Sequence, residues 1–317
     1  MRKELYVITW VVSIMCLGIV MVSCGGQEPV PPVKPVSFTG KRVLWLGTSI
    51  PEGCSYPKAA CEKLGMHCVN QALGSSFLAI RTATAPSRYD LLSLTMSEEE
   101  KKAAYGDYVE RGIITLSDYA RALKSGYDHR VLPYVEEVDV IVIDHGYNDD
   151  FALKEEYDKE RVDWESEDRT SFFGAFNFLY RIIRERNPNV VVLVGGYFQN
   201  TCTIGYFVRG TYVSRAWERI AEHYGLPLLD AWNRVGLSDG YMPHSAGYLD
   251  ELNRKYGKNF TKVHPNSDGD ITWFQAFCPD GVHPFSDPTG GADTRLDSVF
   301  ISLLQERLSP FFQSSPL

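Results

Sequence analysis

Three apolar runs leave no polar face to turn toward water, and they decide what this chain can fold into. They are Arg42–Gly47 (RVLWLG), Val138–His145 (VDVIVIDH) and Val190–Tyr197 (VVVLVGGY). A strand with one wet face alternates apolar and polar residues, whereas near-continuous runs rich in Val, Ile and Leu belong to strands covered on both sides. Segments of helical periodicity follow them. Tyr56–Leu64 comes after the first run, and Ser171–Arg186 carries an apolar stripe that stops at Asn187-Pro188. Two weaker strands are expected at His67–Leu73 and Leu226–Ala231, and two more helices at Tyr212–Tyr224 and Thr294–Leu308. Strands and helices in alternation imply α/β class: a parallel five-stranded sheet in three layers, α/β/α, joined by right-handed crossovers.

Such a sheet binds its ligands beyond the carboxyl ends of its strands. Ser49 follows the first strand, Gly74 the second and Asn148 the third, so all three are expected on one edge. Near the C-terminus stands Asp280-Gly281-Val282-His283-Pro284. A hydroxyl, a side-chain amide, an imidazole and a carboxylate are the parts that acyl transfer to a serine requires. Each is bland alone: a serine after a strand is ordinarily a helix cap, Asn148-Asp149 a turn, and Asp-Gly before His-Pro a loop.

Taken together, Gly47-Thr48-Ser49-Ile50-Pro51-Glu52-Gly53, Gly146-Tyr147-Asn148-Asp149 and Asp280–Pro284 resemble the blocks of the SGNH (GDSL-type) hydrolase superfamily, from about Arg42 to Leu308. The first block departs from the pattern, with Thr48 where the family has Asp. The second, Asn70-Gln71-Ala72-Leu73-Gly74-Ser75-Ser76, carries its glycine one residue early, which leaves Ser75 as a rival to Gly74. The resemblance implies a flavodoxin-like sandwich and a Ser49–His283–Asp280 triad. It also implies an oxyanion hole made by the Ser49 and Gly74 backbone N–H groups and the Asn148 side chain. No cofactor and no metal are expected.

The chain of 317 residues is 44% hydrophobic and 23% charged, enough for one sizeable domain, and its net charge of −8 argues against a nucleic-acid partner. Its beginning reads differently. Arg2 and Lys3 precede an apolar stretch from Leu5 to Val22, then Met21-Val22-Ser23-Cys24-Gly25, which resembles the lipobox of bacterial lipoproteins. Residues 1–23 are therefore expected to be a signal peptide, Cys24 the lipidated anchor, 24–40 a proline-rich tether and 41–317 the hydrolase domain. An uncleaved membrane anchor is the alternative. The expected location is extracytoplasmic, on the periplasmic or outer face of a bacterial, outer, membrane. Five cysteines remain beyond Cys24, an odd number; Cys202 and Cys278 are the pair expected to bridge.

Two stretches exceed what the sheet needs. Arg81–Glu137 is expected to be mostly helical, with Ser97–Glu100 as a capping start and a helix at Leu116–Leu123. Leu237–Phe277 is loop-rich and aromatic, with Tyr241, Tyr248, Tyr256, Trp273 and Phe274 either stacking on sugars or packing the loop down. Asn266–Asp270 faintly resembles a calcium loop but lacks the closing Glu, and reads as a polar turn. Of the other histidines, His145 is the one expected to line the site. The function expected is a carboxylic-ester hydrolase, most plausibly an acetyl esterase acting on carbohydrate. A lipid-directed esterase, thioesterase or lysophospholipase, or an inactive glycan-binding lipoprotein, are the alternatives.

Overall fold

A computed structural model describes residues 36–81, 91–149, 161–199, 204–237, 240–245, 247–285 and 294–313. The sheet forms where the apolar runs fall: β1 Arg42–Gly47, β2 His67–Asn70, β3 Val140–Asp144, β4 Val191–Gly195 and β5 Leu228–Leu229. All neighbours pair in parallel in the order β2-β1-β3-β4-β5. This is the flavodoxin-like order, with the chain reversing direction across the sheet at β1/β3. Helices among the described residues are α1 Ser49–Gly53, α2 Tyr56–Lys63, α3 Glu98–Glu110, α4 Leu116–Leu123, α5 Tyr127–Arg130, α6 Phe172–Arg186, α7 Ile204–Tyr224, α8 Ala231–Arg234, α9 Tyr248–Tyr256, α10 Trp273–Phe277 and α11 Thr294–Leu308. None is long and apolar enough to cross a membrane.

The period-2 geometry of the strands divides their residues between two layers. Leu44, Leu46, Ile141, Ile143, Val192 and Val194 share one cluster with Phe172, Phe176 and Leu179 of α6 and with Val213, Trp217 and Ile220 of α7. On the opposite face Trp45 meets the rings of Tyr56 from α2 and Phe300 from α11 at 5.6 and 5.8 Å. Both layers are therefore filled, as the continuous runs demanded.

Several boundaries differ from the sequence reading. β2 stops at Asn70 instead of Leu73: Gln71 and Leu73 still donate to the Trp45 and Gly47 carbonyls, but the Gln71 carbonyl accepts from Arg130. β5 shrinks to two residues at the outer edge. α7 begins at Ile204, eight residues before the expected start at Tyr212. Gly210, a poor helix former, sits in its interior because a Cβ there would lie 2.5 Å from Trp232 and 2.6 Å from Tyr197. Leu237–Phe277 contains the helices α9 and α10.

The expected helical insertion is present. Ser97 and Glu100 form a reciprocal capping box at the start of α3. A satellite cluster of Leu91, Leu92, Ile114 and Ala122 packs beneath it. Lys101, fully buried, donates to the Ser93 and Ala122 carbonyls at 2.9 and 3.0 Å, and so pins α3 to α4. Burial lowers its pKa to about 7.

Ser37–Phe312 make one compact unit, and Val36 and Gln313 fall outside it. The expected signal peptide, Cys24 and most of the expected tether lie outside the described residues, as does Cys202. Phe38 is buried and meets Phe312 edge to face at 6.3 Å.

Asp144 ends β3 in full burial. Tyr56 Oη donates to it at 2.5 Å and Trp45 Nε1 at 3.4 Å. Burial raises its pKa to about 7, against the pull of those two hydrogen bonds. The folded protein thus holds a proton that the unfolded chain releases at lower pH. Stability should fall as pH rises from the ordinary carboxylate range toward 7, and level off above. Asp144→Asn cannot ionise, so relative to wild type it should gain about 2–3 kcal/mol between pH 5 and pH 8. Urea midpoints of both proteins at the two pH values check this; a constant difference would mean Asp144 stays ionised in the fold.

Candidate active site

Ser49 opens α1, directly after β1, where the first N–H groups of a helix have no intrahelical acceptor. The strand-to-helix turn is tight: a Cβ on Gly47 would stand 2.3 Å from Pro51 and 2.8 Å from the Asp144 carbonyl, so only glycine fits. Thr48 is the N-cap residue, but its side chain makes no capping bond and is buried.

The Asp280 loop reaches Ser49 from 234 residues away. His283 Nε2 lies 2.9 Å from Ser49 Oγ, and His283 Nδ1 lies 2.8 Å from Asp280 Oδ2. The carboxylate accepts a hydrogen bond from the Nδ1–H, which leaves Nε2 as acceptor toward the hydroxyl. Asp280 Oδ1 also accepts the Val282 and His283 backbone N–H groups at 2.8 and 2.7 Å. Partial burial pushes the Asp280 pKa up, but the His283 ring and these two amides outweigh it and hold the carboxyl below its usual range.

On the other side, Asn148 Nδ2 donates to the Ser76 carbonyl at 3.0 Å, which fixes the amide and leaves its second N–H uncommitted to that bond. Asp149, fully buried, is structural. Its carboxylate accepts from Leu78 N at 2.9 and 3.1 Å and from Ala79 N at 2.9 Å, so the Gly-x-Asn-Asp block both carries the amide and ties down the loop facing it.

Gly74 is placed differently from expectation. It lies beside the nucleophile, the position of its absent Cβ being 3.4 Å from Ser49 Cβ. Yet its N–H donates to Glu52 Oε2 at 2.7 Å. Ser75, its rival, has φ of +62°, a left-handed conformation costing a non-glycine residue about 1–2 kcal/mol. The loop around it is closely bonded. Asn70 Nδ2 donates to the Pro51 carbonyl at 2.7 Å, and Ser76 Oγ to Leu73 O at 2.6 Å.

Three residues here gave no sequence signal. Arg130 is buried beneath the edge and donates to the carbonyls of Gln71 at 2.7 Å and Gly47 at 2.9 Å; burial lowers its pKa to about 9. Glu52 and Arg121 both contact Gly74. His145 does not join the triad. It lies buried, 3.4 Å from Arg130, beside a small internal cavity shared with Thr48, Asp144 and Tyr197. Burial, with Arg130 beside it, holds its pKa well below the usual value. Of the aromatic insertion, Phe274 is buried, Tyr248 donates to the Ala276 carbonyl and Tyr256 packs on Phe285. Tyr241 and Trp273 are 44% and 48% exposed. Asn266 closes a polar turn by accepting from Asp268 and Asp270 N–H.

No protein-family model matches the chain, and no curated protein matches it. Among solved structures it is similar to a protein from Lactobacillus plantarum at 17% identity and a TM-score of 0.43, covering 88% of this chain and 100% of that one. It is similar to a protein described as a possible lipase from Chitinophaga pinensis at 13% identity and TM-score 0.44, covering 86% and 99%. It is also similar to an acetylxylan esterase from Geobacillus stearothermophilus at 13% and 0.41, covering 88% and 98%.

The Asp149 carboxylate yields a direct expectation. Asp149→Ala leaves two buried backbone N–H groups without acceptors and should cost about 2–4 kcal/mol of stability. Asp149→Asn, which keeps an acceptor oxygen, should cost less. Urea denaturation of both variants tests the order; equal stability with wild type would mean that the 78–79 loop is held by other bonds.

Proposed function

We propose that the protein is a serine ester hydrolase in which Ser49 is the nucleophile, His283 the general base and acid, and Asp280 the carboxylate that orients the imidazole. One observation carries this reading: the hydroxyl, imidazole and carboxylate form a continuous chain of 2.9 and 2.8 Å contacts across 234 residues of sequence. A structural serine cap or a loop histidine has no need of that relay.

The chemistry follows from the geometry. Nε2 takes the Ser49 proton as Oγ attacks the ester carbonyl, and the imidazolium is stabilised by Asp280. The tetrahedral oxygen forms where the Ser49 N–H and the free Asn148 N–H can reach it. His283 then protonates the leaving alcohol, and water, activated by the same base, releases the acid.

The substrate proposed is an acetyl or similarly small acyl ester of a carbohydrate. It is supported by the two exposed aromatic rings, Tyr241 and Trp273, on the segment that leads into the Asp280 loop. The location proposed is extracytoplasmic, tethered through Cys24, on the strength of the residues around that cysteine.

A fluorophosphonate probe should label the wild-type protein once, on Ser49, and Ser49→Ala should not label. Asp280→Ala should keep its fold and lose roughly 10³–10⁴-fold in kcat on 4-nitrophenyl acetate. A folded wild type that neither labels nor turns over would leave a binding module as the better account. For the sugar, Trp273→Ala should raise KM for acetylated oligosaccharides several-fold while leaving 4-nitrophenyl acetate turnover untouched. An equal effect on both substrates would remove the ring from recognition.

A further inference from the structure

We propose that Glu52 and Arg121 form a clamp on Gly74 that aims the Ser75 N–H at the developing oxyanion, which makes both of them positioning residues; the proposal rests on the esterase reading above. Gly74 is gripped on both sides by side chains. Its N–H donates to Glu52 Oε2 at 2.7 Å, and its carbonyl accepts from Arg121 Nη2 at 3.0 Å. The point where a Cβ on Gly74 would stand is 2.6 Å from Glu52 Oε2, 3.4 Å from Arg121 Nη2 and 3.4 Å from Ser49 Cβ. The clamp therefore closes beside the nucleophile.

The consequence falls on one peptide plane. The Gly74 carbonyl and the Ser75 N–H belong to the same trans peptide, so they point in opposite directions. Arg121 holding the carbonyl outward turns the Ser75 N–H the other way. Because Glu52 occupies the Gly74 N–H, the N–H of Ser75 is the donor this loop can offer. Its left-handed backbone supports the same view, since strained conformations persist where their surroundings over-determine them. Asn148 holds the far side of the loop through the Ser76 carbonyl, which places the clamp and the amide on either side of Ser75.

An ordinary surface ion pair does not account for the arrangement. Arg121 Nη2 and Glu52 Oε1 are 3.8 Å apart, and both side chains are nearly half exposed, where such pairs contribute little. What distinguishes them is that each bonds the backbone of Gly74. Arg121 is itself steadied, since the neighbouring Ala122 carbonyl is held by buried Lys101. A second possibility has the opposite sign: Glu52 blocks a Gly74 N–H that catalysis needs.

The experiment compares Glu52→Ala, Glu52→Gln, Arg121→Ala and Arg121→Lys with wild type. It reads kcat and KM on 4-nitrophenyl acetate, the rate of Ser49 labelling by a fluorophosphonate, and the urea midpoint. The clamp requires that Glu52→Ala and Arg121→Ala lose about 10- to 100-fold in kcat and in labelling rate, with KM within about twofold. Glu52→Gln, whose amide oxygen still accepts from Gly74, should stay within a few-fold of wild type, and Arg121→Lys should recover part of the loss. A higher kcat in Glu52→Ala would overturn the clamp in favour of a block. Unchanged kcat in both alanine variants would overturn it outright, as would a loss in Glu52→Gln as large as in Glu52→Ala. A wild type that neither turns over nor labels sinks the esterase reading and the clamp together. An active wild type with unaffected variants sinks the clamp alone.

Discussion

One carbonyl oxygen, that of Gly47, joins the nucleophile to the rest of the active edge. It stands at the last residue of β1, two positions before Ser49, and it accepts from Leu73 N and from Arg130 Nη2, each at 2.9 Å. Ser76 Oγ is 3.2 Å away, but its single proton is better spent on Leu73 O at 2.6 Å. Through these donors the segment that follows β2 is hung on the end of β1: Gln71 and Leu73 still donate to the Trp45 and Gly47 carbonyls, while the Gln71 carbonyl accepts from Arg130. Gly74 thereby comes to lie beside Ser49. Arg130 bonds the carbonyls of Gln71, Ser125 and Gly47 and lies 3.4 Å from His145 Nε2, a cationic brace inside the edge. Cutting it would leave the Gln71 carbonyl without this donor and the Gly47 carbonyl with Leu73 N–H in its place.

Thr48 shows how the strand-to-helix turn is kept without a side-chain cap. A threonine there makes no cap bond and fills a buried position beside Asp144 and His145. The turn is instead shaped by packing, with glycine at 47 and proline at 51 in contact distance, and by Asn70 holding the Pro51 carbonyl. Beneath the edge two buried groups are pushed toward neutrality: Asp144 by burial, against hydrogen bonds from Tyr56 and Trp45, and His145 by burial and by Arg130. The triad above them is open to solvent.

The sheet was legible because covered parallel strands must be apolar throughout, and no other element asks for VIVID or VVLVG. Ser49, Asn148, Asp280 and His283 were legible because each stands at a turn just past such an element or in a tight Asp-x-x-His loop. Glu52, Arg121 and Arg130 were not. A glutamate, two arginines and generic helix positions carry no local signature; their meaning comes from backbone carbonyls and amides that are 22, 47, 59 and 83 residues distant. The start of α7 was hidden for a related reason. Gly210 lowers helix propensity, and only the approach of Trp232 and Tyr197 explains why it is kept there.

The two contacts of His283 differ in kind, and this sets how the site can respond to change. Asp280 is three residues away in the same loop, and its oxygens hold the ring nitrogen and two backbone amides together. That arrangement is self-contained: any movement of the loop carries carboxylate and imidazole as one piece. The contact from Nε2 to Ser49 spans the fold and depends on how the loop is seated. Seating comes from Phe285 N bonding the Phe277 carbonyl, from Gln275 Nε2 reaching the Thr261 and Pro279 carbonyls, and from α10 beneath. The aromatic insertion therefore has a part in the chemistry whatever its rings bind. It sets the distance between a pre-assembled base and a nucleophile fixed on the sheet, and a shift there of even 1 Å lengthens the one bond on which proton transfer depends.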